Sequence, residues 1–252
     1  MSWRPKIQTT LGYGVHTLSC LIYGPAGAGK TTLAATTGTP SKTIILAAEP
    51  GLLPLRNLPV KFIEIDSLET LDATLGWLEE AGRAGKLSGM WIILDSISEI
   101  AERVLTALKA KTKDPRAAYG DVQDRITAAM KRVRSLPCHT ICVAKQERIE
   151  DDAQRLVYGP AFPGKKLAAG ASYEFDLVMA LRIARDSDGQ IVRWLQTQPD
   201  GKYEAKDRSG VLDEREPPDL QALAKKVMGA FADTPAPAGL PETDNSTTES
   251  AK

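Results

Sequence analysis

"GPAGAGKTTLAA", residues 24–35, follows directly on the apolar run "TLSCLIY", residues 17–23. Gly24, Gly29, Lys30 and Thr31 satisfy the spacing G-x-x-x-x-G-K-S/T between a strand and a helix, the setting this motif requires. The whole loop, Gly24, Pro25, Ala26, Gly27, Ala28, Gly29, Lys30, Thr31 and Thr32, is therefore read as nucleotide-binding. Its glycines let backbone N–H groups wrap phosphates, and the following helix N-terminus adds a favourable dipole. Lys30 is expected to reach the β and γ phosphates and the Thr31 hydroxyl to ligate Mg²⁺, so ATP and Mg²⁺ are the implied cofactors.

Outward from the loop, β-branched apolar runs alternate with amphipathic ones. "KTIILAAE" (42–49), "GMWIILDS" (89–96) and "HTICVAK" (139–145) read as buried strands. "SLETLDATLGWLEEAGRAG" (67–85), "ISEIAERVLTALKAK" (97–111), "VQDRITAAMKRVRSL" (122–136) and "DLQALAKKVMGAF" (219–231) read as helices. "DLVMALRIAR" (176–185), "QIVRWLQTQ" (190–198) and "KYEAKDR" (202–208) follow one another with no helix between them. This order predicts an α/β fold: a mainly parallel central sheet flanked by helices, with late antiparallel strands. The predicted division is an N-terminal arm (1–16), an ATPase core (17–231) and a disordered, mildly acidic tail (232–252) rich in Pro, Thr and Ser.

Composition excludes several classes. The 252 residues are 42% hydrophobic and 25% charged, with formal net charge zero, so any nucleic-acid contact must come from a local patch. No apolar run approaches membrane-spanning length and "MSWRPKIQTT" has no hydrophobic signal core, which predicts a cytoplasmic protein without membrane contact. Cys20, Cys138 and Cys142 have no zinc-like pairing and read as small core residues; His16 and His139 have no ligand partner at useful spacing.

Two carboxylates fall where a phosphate site needs them. Asp95 ends the run "WIILD" and is expected to hold Mg²⁺ through water. Glu49 ends the strand after the loop helix, where it can polarise the attacking water. A GTPase would carry Asn-Lys-x-Asp after a late strand, and "AKQE" (144–147) lacks both the Asn and the Asp. Residue 96, where many ring ATPases have a second acid, is Ser. Lys206 and Arg208 sit two apart near the end of an extended segment, so both project to one side and Asp207 to the other.

"GPAGAGKTT", Glu49, "WIILDS", Gln146 after "HTICVA-K" and "AKDRSG" occur in the order used by the RecA-like ATPase core, which this chain resembles over residues 17–227. Within that group it looks most like the phage-encoded nucleotide-binding proteins that include the RecA-core single-strand annealing proteins. The resemblance implies a RecA-like P-loop NTPase fold and a homo-oligomer, ring or filament. It implies a sensor-like role for Gln146, and makes Lys206 and Arg208 catalytic cations reaching a neighbour's γ-phosphate. One departure is that Lys145 and Gln146 stand where family members often have His.

The resemblance also places single-stranded DNA on two segments. The first is "KAKTKDPRAAYG", with Lys109, Lys111, Lys113, Arg116 and Tyr119, in a basic stretch continuing to Lys131, Arg132 and Arg134. The second is "ERIEDDAQRLVYGPAFPGKK", with Arg148, Arg155, Tyr158, Phe162, Lys165 and Lys166. Cations that track phosphates and aromatics that stack under bases suit sequence-tolerant binding. The expected function is an ATPase that oligomerises on single-stranded DNA to promote annealing or recombination, its tail either recruiting a single-strand-binding protein or serving as an inert solubilising segment. Two alternatives stay open from sequence: a nucleotide-switched accessory protein with negligible turnover, and a P-loop kinase.

Overall fold

The continuously buried runs fix a sheet covered on both faces. In a computed structural model, which describes residues 17–112, 114–150 and 153–232, five parallel strands stand beside one another. They are β1 (Ser19–Gly24), β2 (Thr43–Ala47), β3 (Lys61–Glu64), β4 (Trp91–Asp95) and β5 (His139–Glu150). β7 (Leu177–Arg185) also runs parallel to β1, and β8 (Ile191–Gln196) and the two-residue strands β9 (Lys206–Asp207) and β10 (Arg215–Glu216) are added antiparallel. The order across the sheet is β10-β8-β7-β1-β5-β4-β2-β3. The expected α/β architecture, mainly parallel with late antiparallel strands, is the observed one.

Alternation within each strand divides the core. Leu21 and Tyr23 of β1, and Ile92 and Leu94 of β4, pack with helices α1 (Leu68–Arg83), α2 (Ile97–Lys111) and α3 (Pro115–Arg134). Cys20 and Ile22, and Trp91 and Ile93, face the opposite way onto Leu33 and helix α5 (Leu220–Ala232). Each such side chain, fully buried, contributes about 1.5–3 kcal/mol. All three cysteines are buried, as expected. His139 stacks on Trp91 at 4.2 Å and its Nδ1 accepts from the Leu18 N–H, so it is a structural residue. Among the described residues no helix is long and apolar enough to cross a membrane.

Four elements depart from the sequence expectation. The segment after the glycine loop is a 3-10 turn, Thr31–Thr36, rather than an α-helix. Thr36 and Thr37 donate their hydroxyls back to the carbonyls of Leu33 and Ala34, competing with helical bonds, and Gly38 and Pro40 end the run. The edge strand β3 is short and mostly exposed, so it lacks the apolar signal of its neighbours. The stretch after residue 145 is a hairpin: β5 continues to Glu150 and pairs antiparallel with β6 (Leu156–Pro160), after which a short helix α4 (Lys165–Ala171) follows. Finally, α3 begins at Pro115, capped by Asp114, and α2 runs to Lys111, so much of the expected basic loop is helical. The arm 1–16 and residues 233–252 lie outside the described residues; helix α5 extends through Ala232, one residue past the expected core boundary.

Tyr23 ties these additions to the central strand. Its buried hydroxyl lies 2.8 Å from the Tyr158 carbonyl and 2.6 Å from the Glu204 carbonyl, joining β1 to the hairpin and to the segment before β9.

Candidate nucleotide site

Parallel pairing brings the strand ends carrying the chemistry to one edge. Gly24 is level with Lys145, Asp95 with Val143, and Ala47 with Asp95, so the ends of β1, β2, β4 and mid-β5 meet there. They border a cleft of about 580 Å³ lined by the glycine loop, Glu49, Asp95, Lys145 and Gln146. Every nucleotide and metal residue expected from sequence, apart from the enclosed Ala28, lines this cleft.

Within the loop, Gly27 and Gly29 have φ of 75° and 103°, a left-handed backbone that turns successive N–H groups inward. Gly24 is required for another reason: a Cβ there would lie 2.7 Å from the Leu181 carbonyl of β7. Lys30 Nζ donates to the carbonyls of Gly24 and Pro25 at 2.8 and 2.9 Å, which holds the ammonium inside the loop. Burial lowers its pKa, against the opposing pull of Asp95 and Glu49.

Thr31 Oγ1 donates to Asp95 Oδ2 at 2.6 Å, so the two side chains expected to hold a metal are already together. Burial raises the Asp95 pKa, the Thr31 hydrogen bond opposes it, and the nearby Glu49 adds to it. A divalent cation would relieve that desolvated carboxylate. A hydroxyl and a carboxylate are the hard oxygen donors Mg²⁺ takes when phosphates and water complete its shell. Among the described residues no group of three or more His, Cys, Asp or Glu could hold a metal by itself. The residues fit MgATP.

Glu49 lies two residues beyond β2, and Ser96, fully buried, donates its hydroxyl to Glu49 Oε1. Ser96 thus does more than cap α2; it fixes the carboxylate. Gln146 Oε1 is buried without a hydrogen-bond partner among the described residues, an orphaned acceptor that lines the cleft.

A family model described as an AAA domain (AAA_24) matches residues 16–209, which include the loop, Glu49, Asp95, Gln146, Lys206 and Arg208. The chain belongs to this AAA-domain family. It is a nucleotide-binding P-loop ATPase. No curated protein matches the chain.

In this AAA-domain ATPase, Lys206 and Arg208 stand away from the chain's own loop. β9 pairs with Leu177 and Val178 at the start of β7, whereas the loop follows the end of the parallel β1. Both cations reach one turn, as their spacing predicts: Lys206 donates to the Ser172 carbonyl, and Arg208 pairs with Asp176 at 3.1 Å. Asp207 faces the other way and accepts from Ser209 and Leu212.

The two segments expected to meet DNA converge. Lys109 and Lys111 end α2, Arg116 and Tyr119 begin α3, and Lys165 and Lys166 begin α4. Tyr119 packs against Gly164, where a Cβ would lie 3.2 Å from its ring, and Lys109 lies over the same ring at 4.7 Å. Lys165 is paired with Glu150 at 3.1 Å. Lys113 lies outside the described residues.

Two expectations, Phe162 and the end of α3, are corrected. Phe162 is only 6% exposed and belongs to the buried core that also holds Leu167 and Phe175, so it is not available to a base. The half-buried Tyr158 ring packs against Tyr203 at 5.0 Å, and the exposed Arg148 lies over it at 5.3 Å. Arg155, exposed at the hairpin end, has its own interactions. The basic stretch does not continue to the end of α3: Arg132 pairs with Asp72 and Glu79, and Lys131 with Glu174, while Arg134 donates to the Glu174 carbonyl.

Sequence reading missed Arg193 and Arg103. Arg193 Nε donates to the Ala28 carbonyl at 3.0 Å, laying its guanidinium over the glycine loop. The available signal was parity: in β8 it shares a face with the buried Leu195. Arg103 donates to the carbonyls of Ala48 and Ile65 at 2.5 and 3.1 Å, anchoring the chain beside Glu49 to α2. Its spacing from Glu99 showed only an ordinary helical ion pair.

Proposed function

We propose that this AAA-domain ATPase is a RecA-like, phage-type protein that oligomerises, binds single-stranded DNA and couples ATP hydrolysis to strand annealing or recombination. The observation that carries the reading is the convergence of α2, α3 and α4 termini into one basic face around Tyr119, built from segments some fifty residues apart. A sequence-tolerant strand binder needs clustered cations with an aromatic among them, and Tyr119 is 40% exposed. The same α2 is capped by Ser96, directly after Asp95, so the basic face and the phosphate cleft lie at the two ends of one helix.

The chain's own residues divide the work. Lys30 and the loop N–H groups bind and orient the phosphates, and Thr31 and Asp95 would hold Mg²⁺. When bound, Mg²⁺ neutralises charge on the phosphate oxygens. Glu49, oriented by Ser96, accepts the proton of the attacking water. Lys206 and Arg208, remote from their own loop, supply positive charge to a neighbouring subunit's site, which makes hydrolysis conditional on assembly. The C-terminal tail recruits a single-strand-binding protein, and the protein works in the host cytoplasm.

Phosphate release tests this reading. Turnover is expected to rise at least about tenfold on adding a single-stranded oligonucleotide and to change little with duplex of the same sequence. Unstimulated release with either form would count against the reading, and phosphate appearing on an acceptor instead of in solution would indicate a kinase.

A further inference from the structure

We infer that the antiparallel extension of the sheet carries a second tract for a polynucleotide backbone: a row of arginines stacked on aromatic rings, continuing from the basic face around Tyr119. The inference rests on the single-strand reading proposed above.

The row runs in single file across four separate stretches of chain. Arg148 of β5 lies over the Tyr158 ring of β6 at 5.3 Å, and that ring packs against Tyr203 at 5.0 Å. Arg182 of β7 lies over Tyr203 at 4.1 Å and over Trp194 of β8 at 5.0 Å. Arg215 of β10 lies over the same Trp194 at 5.1 Å. Registry lines these groups up: Arg148 is level with Tyr158, Arg182 with Trp194, and Tyr158 bridges to Tyr203.

The middle of the row is fixed and its two ends are open. Arg182 donates to Asp200 Oδ2 at 2.6 Å and to Gln196 Oε1 at 3.3 Å, and Trp194 Nε1 donates to the same Gln196 oxygen. Asp200 also accepts from the backbone N–H groups of Lys202 and Tyr203, which sets the turn carrying the Tyr203 ring. Arg148 and Arg215 are exposed, and neither pairs with a carboxylate among the described residues. The acids beside them are engaged elsewhere. Glu147 accepts from the Phe162 N–H and Glu150 pairs with Lys165; Glu214 accepts from Gln196, and Glu216 pairs with Lys226.

This arrangement suits phosphate. A guanidinium laid flat on a ring keeps its N–H bonds in its own plane, directed past the ring edge, where they match phosphate oxygens two at a time. Stacking also holds the long side chain in place beforehand, so less freedom is lost on binding. An exposed pair of this kind contributes about 0.5–1 kcal/mol, so the terminal arginines are not what holds the extension together. The three rings are half-buried with cations over them, so the row grips backbone instead of stacking bases, and it reads no sequence. It adjoins the basic face at one end: Arg148 lines one cleft with Gly164 and Lys165, and Gly164 packs against Tyr119. A strand leaving Lys165 meets Arg148 first and Arg215 last.

Anisotropy titrations of the full chain with a labelled single-stranded oligonucleotide of about twenty nucleotides, longer than one compact site, test the inference at several salt concentrations. Arg148→Gln and Arg215→Gln are each expected to weaken binding at least about threefold and to reduce the salt slope by about 0.7, the share of one phosphate contact with a single strand. The double substitution is expected to reduce the slope by about 1.4. Arg185→Gln removes the same charge from the opposite face of β7 and is expected to leave the slope unchanged. Retained MgATP affinity reports a folded chain. Terminal-arginine variants with wild-type affinity and slope, or an equal slope loss in Arg185→Gln, would overturn the inference while the single-strand reading stood on the basic face. Wild-type protein that bound no oligonucleotide in any nucleotide state would overturn both.

Discussion

Glu49→Gln is expected to lower ATP turnover by about 10²–10⁴-fold, the range for losing a positioned general base. MgATP affinity is expected to stay within about threefold of wild type, because the change would remove an interaction made only in the transition state. The substitution isolates the carboxylate's charge. Gln keeps the shape and the side-chain oxygen that accepts from Ser96, so the hydroxyl is not left unpaired. The contacts expected to bind phosphates and Mg²⁺ belong instead to the loop, Lys30, Thr31 and Asp95. Single-turnover phosphate release and equilibrium nucleotide binding, measured on the same preparation, separate the two effects. A parallel loss of binding would mean that Glu49 positions the nucleotide instead of activating water.

The second large effect falls on a residue that touches nothing at its own cleft. Arg208→Ala is expected to lower assembled turnover by about 10³-fold, the scale of an arginine added to a phosphoryl-transfer site. The fold should tolerate it: the Arg208–Asp176 pair is exposed on both sides, where such pairs contribute about 0–1 kcal/mol. Mixing decides whether the arginine acts in trans. A Glu49→Gln subunit still carries Arg208, and an Arg208→Ala subunit still carries Glu49. If the site spans two subunits in a head-to-tail assembly, a random equimolar mixture restores about a quarter of the sites. A mixture as inactive as its components would place Arg208 outside the neighbour's site. Lys206 is a weaker probe, since it also caps the Ser172 carbonyl and its loss has a local structural cost.

Much of this was legible in the chain because the informative residues are local. The glycine loop, the buried run ending at Asp95 and the run leading to Glu49 each carry their chemistry within a few residues, and parallel pairing brings them together. The hairpin β5–β6 was not legible. β5 changes from continuously buried to mostly exposed after Ala144, and β6 is too short for periodicity to separate it from loop. Phe162 misled for a related reason: beside Gly164 and two lysines it reads as surface, and only the packing of α4 beneath the hairpin buries it. Arg193 was invisible as a site residue because what brings it to the cleft is the pairing of β7, its hairpin partner, with β1 far away in sequence. Asp72, Glu79 and Glu174 likewise neutralise the end of α3 from other elements, so the length of the basic run overstated the field.

Fluorescence anisotropy of a labelled single-stranded oligonucleotide, titrated with protein with and without MgATP, tests the central claim most directly. The account predicts binding that is selective for single strands, tightened by MgATP, steeply weakened by salt, and weakened further by Lys109→Ala with Lys166→Ala on the converged face. Binding absent in every nucleotide state, or unchanged by removing those cations, would contradict it.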